Sequence, residues 1–145
     1  MTSKKSIFSK IIDREIPASI VYEDSNVIAF LDINPLSDGH TLVVPKIPVA
    51  RLDQLPADAA AAIGRVLPKL CRAIIQAVGY TDYNVLQNNG PRAHQAVPHV
   101  HFHIIPKPTA SADEGTGLGI HWPVSKMDSD HAKLLAESIR KNLTA

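Results

Sequence analysis

Residues 98–108, PHVHFHIIPKP, place a histidine at every second position, and the residues between the histidines are apolar. A period of two matches a β-strand, on which alternate side chains share a face, and does not match an α-helix. On such a strand the histidines would be about 6 to 7 Å apart on one face. We therefore expect a core strand that carries two sets of side chains on opposite faces: His99, His101 and His103 on one, and Val100, Phe102 and Ile104 on the other.

The histidine face is flanked by apolar Val97 and Ile105, so the three imidazoles should lie in a partly buried cleft. Crowding and burial both oppose protonation, and the middle histidine, His101, should therefore be largely neutral near pH 7. A neutral imidazole keeps one nitrogen lone pair, which can attack a substrate or bind a metal ion.

The rest of the chain predicts the elements around this strand. The segment SIFSKIIDREIP suits a short helix that ends before Pro17, and SIVYED, NVIAFLDI, HTLVVPK and YNVLQNNG read as strands. An alanine-rich helix is expected from Pro56 to Val78, ended by Gly79, with Pro68 kinking or splitting it. MDSDHAKLLAESIRKNL reads as an amphipathic closing helix. The sum is an α+β domain, a five-stranded antiparallel sheet with a long helix packed on it.

Composition argues against several classes of function. The 145 residues suffice for one domain with a real core, and 45% hydrophobic and 20% charged residues are ordinary for a soluble protein. A net charge of +1 with scattered Lys and Arg argues against nucleic acid as a partner and against a membrane-binding face. The lone Cys71 allows no disulfide framework. With no visible signal peptide or membrane-spanning run, we expect a cytoplasmic protein that can also enter the nucleus.

Three interpretations of the histidine strand compete. It can be a strand of hydrogen-bonded histidines with no chemical role, although three polar residues that do not favour strands need a reason. It can be a zinc site, because His-x-His on a strand chelates and three histidines with an open position form a hydrolytic centre. It can also hold a nucleophilic histidine.

The residues upstream favour the nucleophile. Asn88, Asn89, Gly90 and Gln95 supply neutral amide donors on a glycine-containing loop, which suits a phosphate group, although an ordinary polar hairpin loop would look the same. A zinc site more often has carboxylates nearby, as ligands or as partners of the ligating histidines. The closest acidic residues here follow the strand, in a glycine-rich segment.

Several motifs, in order along the chain, resemble those of one family. HVHFHII resembles the His-x-His-x-His-x-x signature of the histidine triad (HIT) superfamily, in which each x is apolar. Residues 7–46 are similar to the N-terminal half of its nucleoside phosphoramidate hydrolase branch, QNNGPRAHQAVPHVHFHIIPKP to its active-site segment, and HWP to its tryptophan element. We expect a HIT domain at residues 1–123 and a C-terminal helical extension at residues 124–145.

The resemblance implies roles for the histidines. His101 would attack the α-phosphate of a nucleotide and form a nucleotidyl-histidine that water then hydrolyses. His99 and His103 would orient His101, bind phosphate oxygens and assist proton delivery to the leaving amine. His40, which opens the third strand, matches a further histidine near the site.

The resemblance also implies the substrate contacts. Asn88 and Gln95 match positions that hydrogen-bond the phosphate and ribose region, and Asp32 matches a carboxylate that holds the ribose hydroxyls, since two acceptor oxygens suit a cis-diol. The apolar base pocket would be formed by side chains that are equally typical of a core: Ile7, Phe8, Ile11, Ile16, Phe30 and Ile33.

Three departures from the family pattern matter. Ser6 and Ser9 stand where many relatives have the cysteines of a C-x-x-C zinc site, and Pro48 where those relatives often have histidine, so no metal and no other cofactor is expected. Ala96 replaces a serine that animal members have near the scissile phosphate, which could slow or retune leaving-group protonation. The chain also continues past Trp122, and in relatives this tryptophan element reaches the partner subunit's active site; a packing anchor is the alternative.

The expected function is hydrolysis of purine nucleoside 5′-phosphoramidates, with AMP, GMP and their phosphoramidates as ligands. The resemblance implies a homodimer in which edge strands of two protomers join one extended sheet. Three alternatives stay open: a dinucleoside polyphosphate hydrolase or nucleotidyl transferase of the same superfamily, a metal hydrolase, and a nucleotide-binding regulatory module with weak activity.

Overall fold

The computed structural model describes residues 4–108, 118, 120 and 123–143. Within these residues the chain forms three α-helices and five β-strands: α1 (Ile7–Ile12), β1 (Ile20–Glu23), β2 (Val27–Leu31), β3 (Thr41–Pro45), α2 (Ala57–Val78), β4 (Asp82–Gln87), β5 (Phe102–Lys107) and α3 (Ser129–Leu143). The predicted elements are all present, in the predicted order.

The five strands form one antiparallel sheet in the order β1-β2-β3-β5-β4. The first three strands are a meander, and the turn between β1 and β2 is fixed by the carboxylate of Asp24, which accepts hydrogen bonds from the N–H groups of Asn26 and Val27. The chain then passes through α2 and returns at the far edge as β4, so β5 inserts between β4 and β3. The predicted α+β class is confirmed.

Alternation along β2 and β3 divides the core into two layers on opposite faces of the sheet, because successive side chains point to opposite faces. One layer packs against α2 and includes Val27, Ala29, Val43 and Ile104. The other packs against α1 and includes Ile28, Phe30, Leu42 and Val44, together with Phe8 and Ile11 of the helix. Both central strands are therefore buried on both faces.

Helix α2 packs on one face of the sheet, mainly over β3 and β5. Its buried residues recur at helical spacing: Ala59, Ala62, Ile63, Val66, Leu70, Cys71 and Ile74. Pro68 does not split the helix, because Pro68 and Gly64, four residues before it, lie on the exposed side, where water can bond the carbonyl that loses its partner. Gly79 ends the helix in the left-handed conformation, with φ of 77°.

Helix α1 covers only part of the opposite face, because it has six residues. A helix rises 1.5 Å per residue, so α1 is about 9 Å long, far shorter than the width of a five-stranded sheet. The uncovered part of this face forms a cavity of about 480 Å³. Because α1 is so short, the part of this face that it leaves uncovered is a concave surface.

The histidine segment departs from the predicted strand. β5 begins at Phe102, so only the third histidine lies on the strand, and His99 and His101 precede it. The N–H of Val100 donates instead to the carbonyl of Val49, in the loop before α2. This loop contact holds the first two histidines off the sheet, which the alternating pattern alone did not predict.

The closing helix α3 begins at Ser129, where the carboxylate of Asp128 accepts a hydrogen bond from the N–H of His131. None of its residues is buried, and Leu134, Leu135, Ile139 and Leu143 are exposed. Trp122 lies outside the described residues, and the predicted boundary between residues 123 and 124 stays a prediction. Within the described residues, no helix is long and apolar enough to cross a membrane.

Shortening a side chain in the α2-facing layer should destabilise the domain far more than the same change at the sheet edge. Ile104 on β5 is fully buried, so Ile104→Ala should lower the free energy of unfolding by about 2–5 kcal/mol. Ile20 on edge strand β1 is 38% exposed, and Ile20→Ala should cost about 1 kcal/mol or less. Urea unfolding of both variants measures the difference, and equal losses would contradict the assigned layers.

Candidate functional site

The floor of the cavity is a row of side chains that crosses four strands. Phe30 of β2 pairs with Leu42 of β3, Leu42 pairs with His103 of β5, and His103 pairs with Leu86 of β4. All four line the cavity. Neighbouring strands lie about 4.8 Å apart, so the row is about 14 Å long, enough to extend under a ligand of nucleotide size.

The cavity brings together most of the residues that the sequence predicted for the site. All six residues of the predicted base pocket line it, as do Asp32, His40, Asn88, Ala96, His101 and His103. Its walls also include the flanking residues Val97 and Ile105. His99 and Gln95 do not reach the lining.

Apolar and aromatic side chains form the end of the cavity nearest α1. The ring of Phe8 lies edge-on to Phe30, with ring centroids 5.4 Å apart, and edge-on to His101, with centroids 4.9 Å apart. Ile16 and Ile33 complete this end, and Ile33 is largely exposed, so its side chain is a rim and not part of the core. This end of the cavity is an apolar surface of the kind that binds flat apolar ligand groups.

His101 has one ring nitrogen fixed and the other free for chemistry. Its Nδ1 lies 2.7 Å from the carbonyl oxygen of His99, and because a carbonyl can only accept, Nδ1 carries the proton. Burial lowers the pKa of His101, so the ring is neutral at neutral pH. The lone pair is then on Nε2, which is the arrangement a nucleophilic imidazole needs.

His40 and His103 form a second, directional pair. The N–H of Leu36 donates to Nδ1 of His40, so neutral His40 carries its proton on Nε2 and donates it to Nδ1 of His103 at 2.9 Å. Neutral His103 therefore holds its own proton on Nε2. Burial, followed by the charges of His101 and His40, lowers the pKa of His103 to about 4. At neutral pH this ring is a hydrogen-bond donor and not a cation.

Asp32 is the negative charge of the site. One carboxylate oxygen accepts the N–H of Asn34 at 2.8 Å, and the other lies 3.6 Å from Nε2 of His40. Its charge partly offsets the effect of burial on the pKa values of His40, His101 and His103. The side chain is partly exposed in the cavity, so its oxygens remain available to a diol.

His99 is turned away from the cavity and is 1% exposed. Its Nε2 donates to the carbonyl of Pro45 at 2.8 Å, which leaves Nδ1 to accept the hydroxyl of Ser6 at 3.0 Å. The structure therefore does not bring the His99 ring to the phosphate position. It contributes through its backbone instead, because its carbonyl fixes the tautomer of His101.

The Ser6 and Ser9 hydroxyls lie at the place where the family resemblance implies zinc-binding cysteines in many relatives. Ser6 caps α1 by accepting the N–H of Ser9, and both hydroxyls lie near Nδ1 of His99, at 3.0 and 3.4 Å. Zinc sites in proteins use thiolate, imidazole and carboxylate ligands, and neutral serine hydroxyls are not among them. The residues here fit a hydrogen-bonded network and not a zinc site.

Among the described residues, one group of three side chains has the spacing to hold a metal ion: Asp32, His40 and His103. The two imidazoles of this group already satisfy each other through the hydrogen bond between them. A metal ion would have to replace that bond.

The loop between β4 and β5 is fixed by its amide side chains. Gln95 accepts the N–H of Gly90 and donates to the carbonyl of Ala50, both at 2.7 Å, so its amide is used within the loop. Asn88 keeps a place in the lining and donates to the carbonyl of His94 at 3.4 Å. Of the two predicted phosphate amides, the structure places only Asn88 at the cavity.

His94 lines the cavity and was missed in the sequence. It lies in the loop beside Ala96 and has a positive φ of 66°, which is unusual for a residue other than glycine. Its sequence neighbours gave one signal, since it follows a Gly-Pro turn in the loop already assigned to phosphate binding. The alternating pattern that identified the other histidines does not extend to it.

Comparison with known proteins identifies the family to which this chain belongs. Residues 13–110 match the model of the HIT domain. The chain belongs to the HIT family.

Several HIT relatives resemble the chain over almost its whole length. It is 44% identical to adenosine 5'-monophosphoramidase hnt1 of Schizosaccharomyces pombe over 94% of this chain and 97% of the relative. A hypothetical protein from Leishmania major has a TM-score of 0.85 at 48% identity, covering 96% of each chain. The histidine triad nucleotide-binding protein from Candida albicans has a TM-score of 0.84 at 42% identity, covering 97% of this chain and 98% of that one.

Removal of the Ser6 hydroxyl should weaken this HIT domain. Ser6→Ala removes the N-cap of α1 and leaves Nδ1 of buried His99 with only the longer contact to Ser9, so the free energy of unfolding should fall by about 1–3 kcal/mol. Ser9→Ala is the matched control and should cost less than about 1 kcal/mol. Chemical denaturation distinguishes the two, and an equal cost would show that the Ser6–His99 bond contributes little.

Acid should destabilise the protein through the buried histidines. The pKa of His103 falls from 6.5 to about 4 on folding, so between these values the unfolded chain binds a proton that the folded chain does not. Stability is therefore full above pH 6.5 and falls as the pH drops, by roughly 1 kcal/mol per pH unit for this residue. Unfolding of His103→Asn from pH 7 to pH 4.5 should show a shallower loss than wild type. His131→Asn, on exposed α3, should keep the wild-type slope.

Proposed function

We propose that this protein hydrolyses the P–N bond of purine nucleoside 5′-phosphoramidates, releasing AMP or GMP and an amine. The observation that carries the proposal is the state of His101: a buried neutral imidazole, with its Nδ1 proton held by a backbone carbonyl, in the wall of a nucleotide-sized cavity. The fixed tautomer leaves the Nε2 lone pair of this ring free for attack on a substrate in the cavity.

The shape of the cavity fits the parts of a nucleotide. The purine base suits the apolar end, against the side chains of Phe8, Phe30 and Ile16. Asp32 lies between that end and the histidines, where the ribose hydroxyls of a bound nucleotide would be. The phosphate would then lie at His101 and His103, where, among the described lining residues, the hydrogen-bond donors are neutral and the carboxylate is that of Asp32.

The proposed reaction has two steps, and His101 begins the first. Nε2 of His101 attacks phosphorus, a P–N bond to the ring forms, and the P–N bond to the amine breaks as the amine nitrogen takes up a proton, which the attacking water gives back in the second step. The Nε2–H of His103 donates to a phosphoryl oxygen as charge moves onto it, at no cost in reorientation because His40 holds the ring in place. Water then hydrolyses the nucleotidyl-histidine and regenerates the neutral ring. The chemistry uses no metal ion.

The names of relatives support the substrate class. The Schizosaccharomyces pombe relative is named an adenosine 5'-monophosphoramidase, and the Candida albicans structure is titled a histidine triad nucleotide-binding protein. The similarity over almost the whole chain makes the same class of substrate the best proposal here. A cytoplasmic location stays a prediction.

The intermediate gives a direct test. Wild-type protein incubated with adenosine 5′-phosphoramidate and quenched should show an added mass of one AMP, and AMP should be released on turnover. His101→Ala should show no adduct and at least about 10³-fold slower AMP release. His131→Ala, on exposed α3, should behave as wild type. No AMP release by the wild-type protein would overturn the proposal.

The rival substrate class is tested in the same assay. Relative kcat/KM values for adenosine 5′-phosphoramidate and diadenosine polyphosphates measure which leaving group the site prefers. We expect the phosphoramidate to be preferred. A preference for the polyphosphate would assign the protein to another branch of the family.

The homodimer is also proposed, with β4 as the joining edge. The two edge strands of the sheet differ in character: β1 is flanked by ion pairs of Glu23 with Arg14 and Lys46, whereas β4 exposes Tyr83 and Val85. Charged side chains oppose pairing at an edge, and exposed apolar ones favour it. Beside them the Asn84 Oδ1 is buried without a hydrogen-bond partner in the single chain, and a second chain could supply one.

A pair of matched substitutions tests this edge. Val85 on β4 is 47% exposed and Val21 on β1 is 48% exposed. Val85→Lys should convert a dimer into a monomer of 15.7 kDa, whereas Val21→Lys should leave the dimer intact. Light scattering after size exclusion measures the masses. A monomeric wild type, or dissociation by Val21→Lys alone, would contradict the assignment.

A further inference from the structure

One titratable side chain of the cavity has no role in the proposed reaction. Within the described lining, the titratable residues are Asp32, His40, His94, His101 and His103. Four of them hold or form the nucleophile and the phosphate and ribose contacts. His94 is the remaining one, and it is the only exposed member of the five.

The strand order places His94 at the leaving-group end of the cavity, an argument that rests on the proposed function. The floor runs from Phe30 on β2, through His103, to Leu86 on β4. The apolar end lies at β2, and the loop that follows β4 supplies Asn88 and His94 at the other end. A nucleotide with its base at β2 and its phosphate at the histidines directs its amine toward this loop.

The backbone of His94 is held in a conformation that glycine would adopt more easily. Its φ of 66° is left-handed, its N–H donates to the carbonyl of Pro91, and its own carbonyl accepts from Asn88. An imidazole here costs backbone free energy that a glycine would not. The side chain is therefore present despite an unfavourable position, at the edge of a reactive cavity.

The leaving amine needs a proton that the other groups do not supply at neutral pH. An alkylamine is a poor leaving group unless its nitrogen is protonated as the P–N bond breaks. His103, with its pKa of about 4, is not charged at neutral pH. Ala96, which also lines the cavity, has only a methyl side chain and cannot donate a proton. The exposed imidazole of His94 lines the same cavity as His101 and His103, at the end where the amine leaves.

We propose that His94 is the general acid that protonates the departing amine. In the first step, Nε2 of His101 bonds to phosphorus, the electron pair of the breaking P–N bond moves to the amine nitrogen, and that nitrogen takes a proton from protonated His94. In the second step, neutral His94 takes a proton from the attacking water, the new P–O bond forms, and the P–Nε2 bond returns its electron pair to His101. Both protons and both electron pairs balance over the cycle.

The test compares two substrates with two variants. The substrates are AMP joined to a simple alkylamine, which needs protonation to leave, and AMP joined to p-nitroaniline, which needs it far less. The variants are His94→Gly, which suits the left-handed backbone and removes the imidazole, and His94→Asn, which tolerates that backbone and cannot act as an acid. Thermal unfolding of both variants checks that the fold is kept.

His94→Gly and His94→Asn should lower kcat/KM for the alkylamine substrate by about 10²-fold or more, and for the p-nitroaniline substrate by only a few-fold. Added imidazole should restore part of the alkylamine activity of His94→Gly in proportion to its concentration. Equal losses on both substrates would mean that His94 only binds, and no loss would mean that it plays no part; either result overturns this inference and leaves the proposed function intact. A wild type inactive on both substrates overturns the proposed function itself.

Discussion

The hydrogen bonds of His99 connect the fold to the chemistry. Its ring joins α1 to β3, by accepting from Ser6 and donating to the carbonyl of Pro45, and it is almost completely buried. Its carbonyl then accepts the Nδ1 proton of His101. Because a buried imidazole with an unpaired nitrogen is costly, each of these bonds constrains the others. The position of α1, and with it the apolar end of the cavity, is thereby coupled to the tautomer of His101, the proposed nucleophile.

The pKa values of the cavity histidines depend more on burial than on neighbouring charges. Burial lowers the pKa values of His40, His101 and His103, and the carboxylate of Asp32 only partly offsets it. Neutral imidazoles suit a site that receives an anion, since they donate hydrogen bonds and still leave a nucleophilic lone pair. The same burial lowers the free energy of unfolding in acid, because the unfolded chain binds protons that the folded chain does not bind. Burial of the imidazoles thus accounts both for their neutral state at neutral pH and for the expected loss of stability in acid.

Much of the architecture could be predicted because it depends on local patterns. The two-residue period of β2 and β3 and the helical spacing of α2 specify which faces are buried, and Gly79 marks the end of α2. The exact start of β5 could not be predicted, because a bond between Val100 and Val49, distant in sequence, takes His99 and His101 off the strand. The hydrogen bond from the Gln95 amide to the carbonyl of Ala50 could not be predicted for the same reason, since only the fold brings these two residues together.

The sequence by itself determined the composition of the site: an alternating histidine segment, an amide loop, and serines at positions where the family resemblance implies cysteines in many relatives. These features are contiguous or match motifs, so they can be recognised without coordinates. Only the tertiary structure decided which of the histidines face the cavity, which ring nitrogen of His101 is free, and that His94 belongs to the site. Ring orientation and tautomer depend on backbone carbonyls and side chains contributed by other elements, and a one-dimensional pattern carries no information on those contacts.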